Sequence, residues 1–94
     1  MKHHIIVKWN ESISDKRGAA EEVRKLFAPS TDIDGIRSVR VIENCIDRPN
    51  RYDIMIVLDM DKYALTVWDG SEIHKTWKSE WGEKIASKAI FDCE

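Results

Sequence analysis

The chain lacks the features that mark secreted, membrane-embedded and disulfide-stabilised proteins. It has two cysteines, Cys45 and Cys93, which form no CxxC motif and are too few for a disulfide framework. Its amino terminus has only three consecutive apolar residues before Lys8, too short a run for a signal peptide, and no run approaches a membrane-spanning length. We therefore expect a cytoplasmic protein with free thiols and no membrane partner.

The chain also lacks an excess of charge of one sign and the short motifs of common enzyme classes. A net charge of −2 gives no electrostatic reason to expect nucleic acid or an anionic membrane as a partner. No GxSxG, P-loop or dinucleotide-binding motif is present. The histidines show neither HxH nor HxxxH spacing, so we expect neither a metal site nor a cofactor.

What is present fits one soluble globular domain at residues 1–94, with 43% hydrophobic and 34% charged residues. Alternating apolar and β-branched residues predict strands at 3–9, 36–45, 52–60 and 89–94. Helical patterns predict one helix from 14 or 15 to about 28 and a second helical region, broken at Gly70, between 61 and 81. This β-α-β-β-α-β order predicts an α+β ferredoxin-like fold, an antiparallel sheet with helices on one face.

The third predicted strand is apolar on both faces between Ile54 and Leu58. A strand of this kind must be covered on both sides. In so small a domain the helices can cover only one face of the sheet. We therefore expect the other face to meet a second subunit in a homodimer.

The stretch VWDGSEIHKTWKSEW, residues 67–81, holds three of the four tryptophans. Ile73, Trp77 and Trp81 fall at i, i+4 and i+8 and form an apolar stripe, with His74 beside it. Histidine titrates near neutrality, so His74 is the leading candidate for a proton-transfer role. The alternative is a ring that simply packs at the edge of the helix.

His3 is the second candidate for a functional side chain. It opens the first strand on the face that it shares with Ile5, Val7 and Trp9. If the last helical segment covers that face, His3 and His74 line one pocket. The alternative for His3 is an exposed strand end.

The tryptophans themselves have two interpretations. Each buries a large area, so the default is that they fill the core. Four in so short a chain can also line a cavity for a flat apolar ligand. They are Trp9, Trp68, Trp77 and Trp81.

Five segments resemble, in order and spacing, the characteristic segments of one known family. They are Lys2-His3 with the following Ile5-Ile6-Val7-Lys8-Trp9, Gly35-Ile36-Arg37-Ser38-Val39, Tyr52-Asp53 with its apolar run, Ser71-Glu72-Ile73-His74 at the place of an H-P-x-H motif, and Phe91-Asp92. Over nearly its full length the chain thus resembles the stress-responsive A/B barrel (Dabb) family of dimeric α+β-barrel proteins. The resemblance implies two subunits whose sheets face one another as a barrel, with the helices outside.

The resemblance also implies a site. A plant polyketide cyclase of this family uses a histidine at the place of His74 as acid/base, with a tyrosine nearby, and closes a ring without a cofactor. A histidine that matches His3 lines the same pocket. Here the tyrosine position is Trp68, which has no phenolic hydroxyl, and a further pocket histidine on the third strand is replaced by Ile54.

These observations lead to one main hypothesis and two alternatives. The main hypothesis is a Dabb-like homodimer that binds a small apolar or aromatic molecule and catalyses cofactor-independent cyclisation or isomerisation. It makes His74 the acid/base and His3 its pocket partner, in a pocket lined by Trp9, Ile54, Trp68 and Trp77. One alternative is a non-enzymatic stress-related dimer whose tryptophans are only core. The other is a haem or quinol monooxygenase of the same superfold, in which Asn10, Trp68 and His74 are similar to the Asn, Trp and His of haem-degrading enzymes.

Overall fold

Four strands form a single antiparallel sheet in the computed structural model, which describes residues Met1–Glu94. They are β1 (Lys2–Trp9), β2 (Ile36–Glu43), β3 (Ile54–Met60) and β4 (Ile85–Cys93). Their order in the sheet is β2-β3-β1-β4, so β2 and β4 are the edges. This arrangement confirms the predicted ferredoxin-like sheet.

The helical layer consists of one long helix and a second, interrupted one. The α-helices are α1 (Lys16–Phe27), α2 (Ala64–Asp69) and α3 (Glu72–Thr76). A π-helical turn, Trp77–Trp81, continues α3, and 3-10 turns occupy Ala28–Asp32 and Gly82–Lys84. No helix combines the length and the apolarity that crossing a bilayer requires.

Helix α1 begins and ends for local chemical reasons. The Asp15 side chain caps its start and accepts a hydrogen bond from the backbone N–H of Gly18 at 2.9 Å. The α-helix ends at Phe27, but the chain continues in a 3-10 turn that contains Pro29. The predicted helix end near residue 28 agrees with this, and the turn accommodates Pro29 because proline is tolerated in the first turn of a helical segment.

The last strand begins earlier than its sequence pattern indicates. The prediction placed its start at residue 89, whereas β4 begins at Ile85 and pairs there with Trp9, beyond a bulge in β4 at Ala86. Residues 86–88 are exposed on this edge strand. Backbone pairing with β1, and not burial of alternate side chains, extends the strand, so hydrophobic periodicity does not detect it.

The core lies on the helix side of the sheet. Along β3, Ile54, Ile56, Leu58 and Met60 are buried, while Met55 and Val57 on the other face are only partly covered. The strand pairing places further apolar residues beside them: Ile6 is opposite both Met55 and Ala89. We call this surface the open sheet face and define it by Ile6, Ile42, Met55, Val57, Ala89 and Phe91.

Aromatic rings dominate the helix-side core. The four tryptophans are between 0% and 8% exposed, which confirms their interpretation as core residues. Trp9 of β1 lies 5.3 Å from Trp81, and Phe27 of α1 lies 5.4 Å from Trp68 and 5.2 Å from Trp77, measured between ring centroids. These contacts join the two helical regions to one another and the second region to the sheet.

Gly35 provides a test of this packing. Its φ of +91° is left-handed, and a Cβ atom there would lie 2.9 Å from the Tyr63 ring. We expect Gly35→Ala to lower the free energy of unfolding by about 2 kcal/mol, from backbone strain and the ring contact. Urea denaturation measures this change.

Gly82→Ala is the matched control, because its φ is −54° and nothing lies within 4 Å of the added methyl group. We expect this variant to be neutral or more stable by about 0.5 kcal/mol. Equal destabilisation by the two substitutions would contradict the backbone assignment at Gly35.

Candidate functional site

The break between α2 and α3 positions His74. Gly70 ends α2, and Ser71 caps α3. The Ser71 hydroxyl donates to the backbone carbonyl of Trp68 at 2.7 Å and accepts from the backbone N–H of His74 at 3.2 Å. One side chain thus ties the end of α2 to the first turn of α3, which carries His74.

The His74 ring is held by two contacts. Its Nδ1 lies 2.8 Å from the backbone oxygen of Asp69, and its ring centroid lies 5.6 Å from that of Trp68. A carbonyl oxygen can only accept, so Nδ1 carries the hydrogen and donates it. The second ring nitrogen, Nε2, makes no hydrogen bond within the chain.

His3 is held in a similar way by a carboxylate. It is 6% exposed, and its Nδ1 lies 2.5 Å from Oδ1 of Asp92. The antiparallel register of β1 and β4 sets the two residues directly opposite one another. Because a carboxylate accepts, Nδ1 of His3 is the donor, and its Nε2 is also left without a partner in the chain.

The two histidines line one cavity of about 380 Å³. Its walls come from α2, α3, the π-helical turn, β1 and β4. The lining side chains are apolar on one part of the wall and ionisable on the rest: Ile5, Leu65, Trp77 and Ile90, together with His3, Asp69, His74, Lys78, Lys88 and Asp92.

Of the four residues expected to line the pocket with the histidines, only Trp77 does so. Trp68 contacts His74 but is fully buried in the core. Trp9 packs against Trp77 and Trp81, away from the cavity.

Ile54 is also absent from the cavity wall. His3 is opposite Leu58, so Ile54 lies four residues, about 13 Å, further along β3. Trp9, Ile54 and Trp68 therefore do not line this cavity of the single chain, because their side chains fill the core or lie further along the sheet.

Asp92, which bonds His3, is one of the cavity residues that the sequence pattern did not identify. In the sequence it stood out only as part of the Phe91-Asp92 segment. Its role depends on the register between β1 and β4, which places it at His3. The alternation of the last strand puts Asp92 on the face of Ile90, but nothing in the sequence sets that strand's partner residues.

A second concave region of about 380 Å³ lies at the other end of the sheet, where Lys16 and Asp53 meet. Their ion pair is 2.9 Å long, and the Asp53 carboxylate raises the pKa of Lys16. Asp53 also accepts the backbone N–H of Trp9 at 2.8 Å. These groups hold α1 to the end of β1, and the region contains no histidine, so the histidine cavity is the candidate site.

The three residues of the monooxygenase alternative do not line one cavity, although the Trp68 and His74 rings are in contact. The Asn10 side chain donates to the backbone oxygen of Glu83 and accepts from the backbone N–H of Ser12. Of Asn10, Trp68 and His74, only His74 lines the histidine cavity. No group of three or more His, Cys, Asp or Glu side chains is placed to hold a metal ion.

No family model and no curated protein sequence matches the chain significantly. Solved structures do. A dimeric ferredoxin-like protein of unknown function from Bacteroides fragilis is 18% identical, with a TM-score of 0.79 over 99% of this chain and 93% of that one. A proposed antibiotic biosynthesis monooxygenase from Nitrosomonas europaea is 14% identical, with a TM-score of 0.70 over 98% and 88% of the two chains.

A third structure carries the name of the family identified by resemblance. It is a Dabb family protein with a ferredoxin-like fold from Mesorhizobium loti, 13% identical, with a TM-score of 0.73 over 99% of this chain and 93% of that one. Likeness at this level of identity concerns the fold. The chain therefore has the ferredoxin-like fold of the Dabb protein, which is the fold that the sequence resemblance predicted.

Proposed function

We propose that the chain forms a homodimer in which each subunit binds a small apolar or aromatic carbonyl compound between His3 and His74 and transfers protons on it without a cofactor. One observation carries this proposal. Two histidines share a cavity of about 380 Å³, and each has Nδ1 bonded to an acceptor and Nε2 free. Two free imidazole nitrogens in one cavity provide a base and an acid.

The chemistry follows from these two nitrogens. One neutral imidazole removes a proton from a carbon next to a carbonyl group, while the other, protonated, donates to the carbonyl oxygen. Return of the proton at a different carbon gives an isomer, and attack of the enol carbon on a second carbonyl group closes a ring. His74 is the acid/base in this scheme, His3 is its partner, and Asp92 positions His3.

The rest of the cavity suits an uncharged ring system near the histidines. Its volume falls within the range of small-molecule sites, about 300–1,000 Å³. Trp77, Leu65, Ile5 and Ile90 form the apolar part of the wall. A flat ligand gains burial there without leaving polar groups of its own unpaired.

The open sheet face supports the homodimer. Phe91 is 61% exposed on this face, where His4 and Arg40 lie among the apolar side chains. Covering such a surface contributes about 25 cal/mol per Å² of apolar area. The structural neighbour from Bacteroides fragilis is a dimeric protein with the same fold. Pairing of two open sheet faces gives the barrel that the family resemblance implies.

Two other functions remain as alternatives. Burial of all four tryptophans is what a purely structural, non-enzymatic dimer requires, so the proposal rests on the histidines and not on the tryptophans. A haem or quinol monooxygenase is favoured only by the neighbour from Nitrosomonas europaea. Haem titration distinguishes this alternative from our proposal. A strong visible absorbance band on binding would support the monooxygenase and contradict our proposal.

The dimer is tested by Val57→Asp, which puts a carboxylate into the centre of the open sheet face. A symmetric interface carries the change twice, so we expect dimerisation to weaken at least about 100-fold. Sedimentation velocity measures the association. Val67→Asp is the control, because Val67 lies 56% exposed on α2. A wild-type chain that is monomeric at micromolar concentration would contradict the dimer.

The acid/base roles are tested with 2-tetralone, a flat bicyclic ketone, in D₂O. We expect the wild-type protein to accelerate exchange of its α-protons, measured by proton NMR. His74→Ala and His3→Ala should each lower the accelerated rate by about 100-fold or more, since a general acid or base contributes about 10²–10⁴-fold.

His4→Ala is the matched control for both histidine variants. His4 is next to His3 but points to the opposite face of the sheet, where its Nδ1 bonds the backbone oxygen of Phe91. We expect its exchange rate to stay within about twofold of wild type. Loss of rate in all three variants, or in none, would remove the site assignment.

Asp92→Asn tests whether Asp92 positions His3. The asparagine amide can turn its NH₂ group towards Nδ1 and thereby select the tautomer in which Nε2 carries the hydrogen. We expect the exchange rate at saturating 2-tetralone to fall by at least about tenfold with little change in KM. A purely structural Asp92 would instead change the melting temperature and leave the rate of the folded protein unaltered.

A further inference from the structure

The ionisable side chains of the histidine cavity are arranged in a definite order along β4. Lys88, Ile90 and Asp92 occupy alternate positions and therefore share the helix-side face of the strand. Asp92 is opposite His3, and Lys88 is opposite Val7. The lysine thus lies four residues, about 13 Å, from the carboxylate that holds His3, with Ile90 between them.

The helix side of the cavity repeats this order. His74 and Lys78 are four residues apart, so they lie on one face about one turn from each other. Trp77, beside Lys78, belongs to the apolar part of the wall. Each side of the cavity therefore carries an acid/base group at one position, a lysine further along, and an apolar side chain near the lysine.

Neither lysine has an anionic partner in the chain. Lys16, Lys25, Lys62 and Lys75 each lie within 4 Å of a carboxylate, whereas Lys78 and Lys88 do not. Two unpaired ammonium groups on the wall of one cavity are positioned to bind an anion from outside the chain.

Both aspartates of the cavity wall bond a histidine, but only one of them does so through its carboxylate. Asp92 bonds His3 through its side chain, and Asp69 bonds His74 through its backbone oxygen. The Asp92 carboxylate repels an anionic group from the position of His3, and the two lysines attract it elsewhere on the wall. The charges of the cavity therefore orient an anionic ligand as well as attract it.

We propose that the ligand of this site is an aromatic or apolar carboxylic acid, bound as the carboxylate by Lys78 and Lys88. Its apolar body contacts Trp77 and Ile90, and its carbonyl end reaches the histidines. This inference rests on the proposed function for the reaction at the histidines, and it adds the substrate class. One negative charge suits the site better than two, because the unpaired Asp69 carboxylate shares the wall.

The test compares 2-naphthoate with 2-naphthamide, which has the same shape and no charge, by isothermal titration calorimetry. We expect the wild-type protein to bind the acid at least about fivefold more tightly than the amide, with a preference that declines as salt is added. Lys78→Gln and Lys88→Gln should each weaken binding of the acid about fivefold and change binding of the amide less than about twofold. Lys75→Gln, on the same helix but paired with Glu72, is the control.

The outcomes separate this inference from the proposed function. Equal affinity for acid and amide, or a preference that both lysine variants retain, would overturn the inference. Acceleration of 2-tetralone exchange, which involves no anion, would then still support the proposed function. If neither naphthalene compound binds, the inference fails, and if 2-tetralone exchange is also not accelerated, the proposed function fails with it.

Discussion

Contact of Phe27 with two tryptophans is the interaction on which the helix side of the structure depends. Phe27, fully buried near the end of α1, packs against Trp68 of α2 and against Trp77 of the π-helical turn. The two partners lie on opposite sides of the break at Gly70. Each aromatic pair contributes about 0.5–1.5 kcal/mol beyond its area burial. Phe27 therefore holds both halves of the broken helix against α1, and His74 lies between Trp68 and Trp77 along the chain.

The same packing leaves two polar groups buried without a hydrogen-bond partner. The indole N–H groups of Trp9 and Trp68 are buried without a partner in the chain. An unsatisfied buried donor costs about 1–3 kcal/mol. Their large apolar area offsets this cost, since burial of a ring of this size contributes more than an aliphatic side chain does. Core packing thus explains why the tryptophans are present. It does not explain the ionisable side chains of the histidine cavity.

The sequence determined the fold more completely than the site. Period-two alternation and the helix-stop residues predicted the order of elements, because each strand's buried face and each cap leave a local signal. The same reasoning placed His3 and His74 on facing elements. It did not find Asp92, Lys78 or Lys88, because the register of an edge strand and the shape of a cavity depend on contacts between distant segments. Trp9 was expected in the pocket because it shares a strand face with His3. Ile54 and Trp68 were expected there because the family resemblance puts pocket residues at their positions. Neither argument shows how far along the sheet a residue lies.

The break at Gly70 and Ser71 has a chemical consequence as well as a geometric one. In an unbroken α-helix the backbone oxygen of Asp69 would accept the N–H of Ile73, four residues on. Because α2 ends at Asp69, that oxygen instead accepts Nδ1 of His74 at 2.8 Å. The interruption therefore supplies the acceptor that sets the tautomer of His74 and leaves Nε2 as the free nitrogen. A continuous helix would use this oxygen for the N–H of Ile73, so the break is what makes it available to the His74 ring.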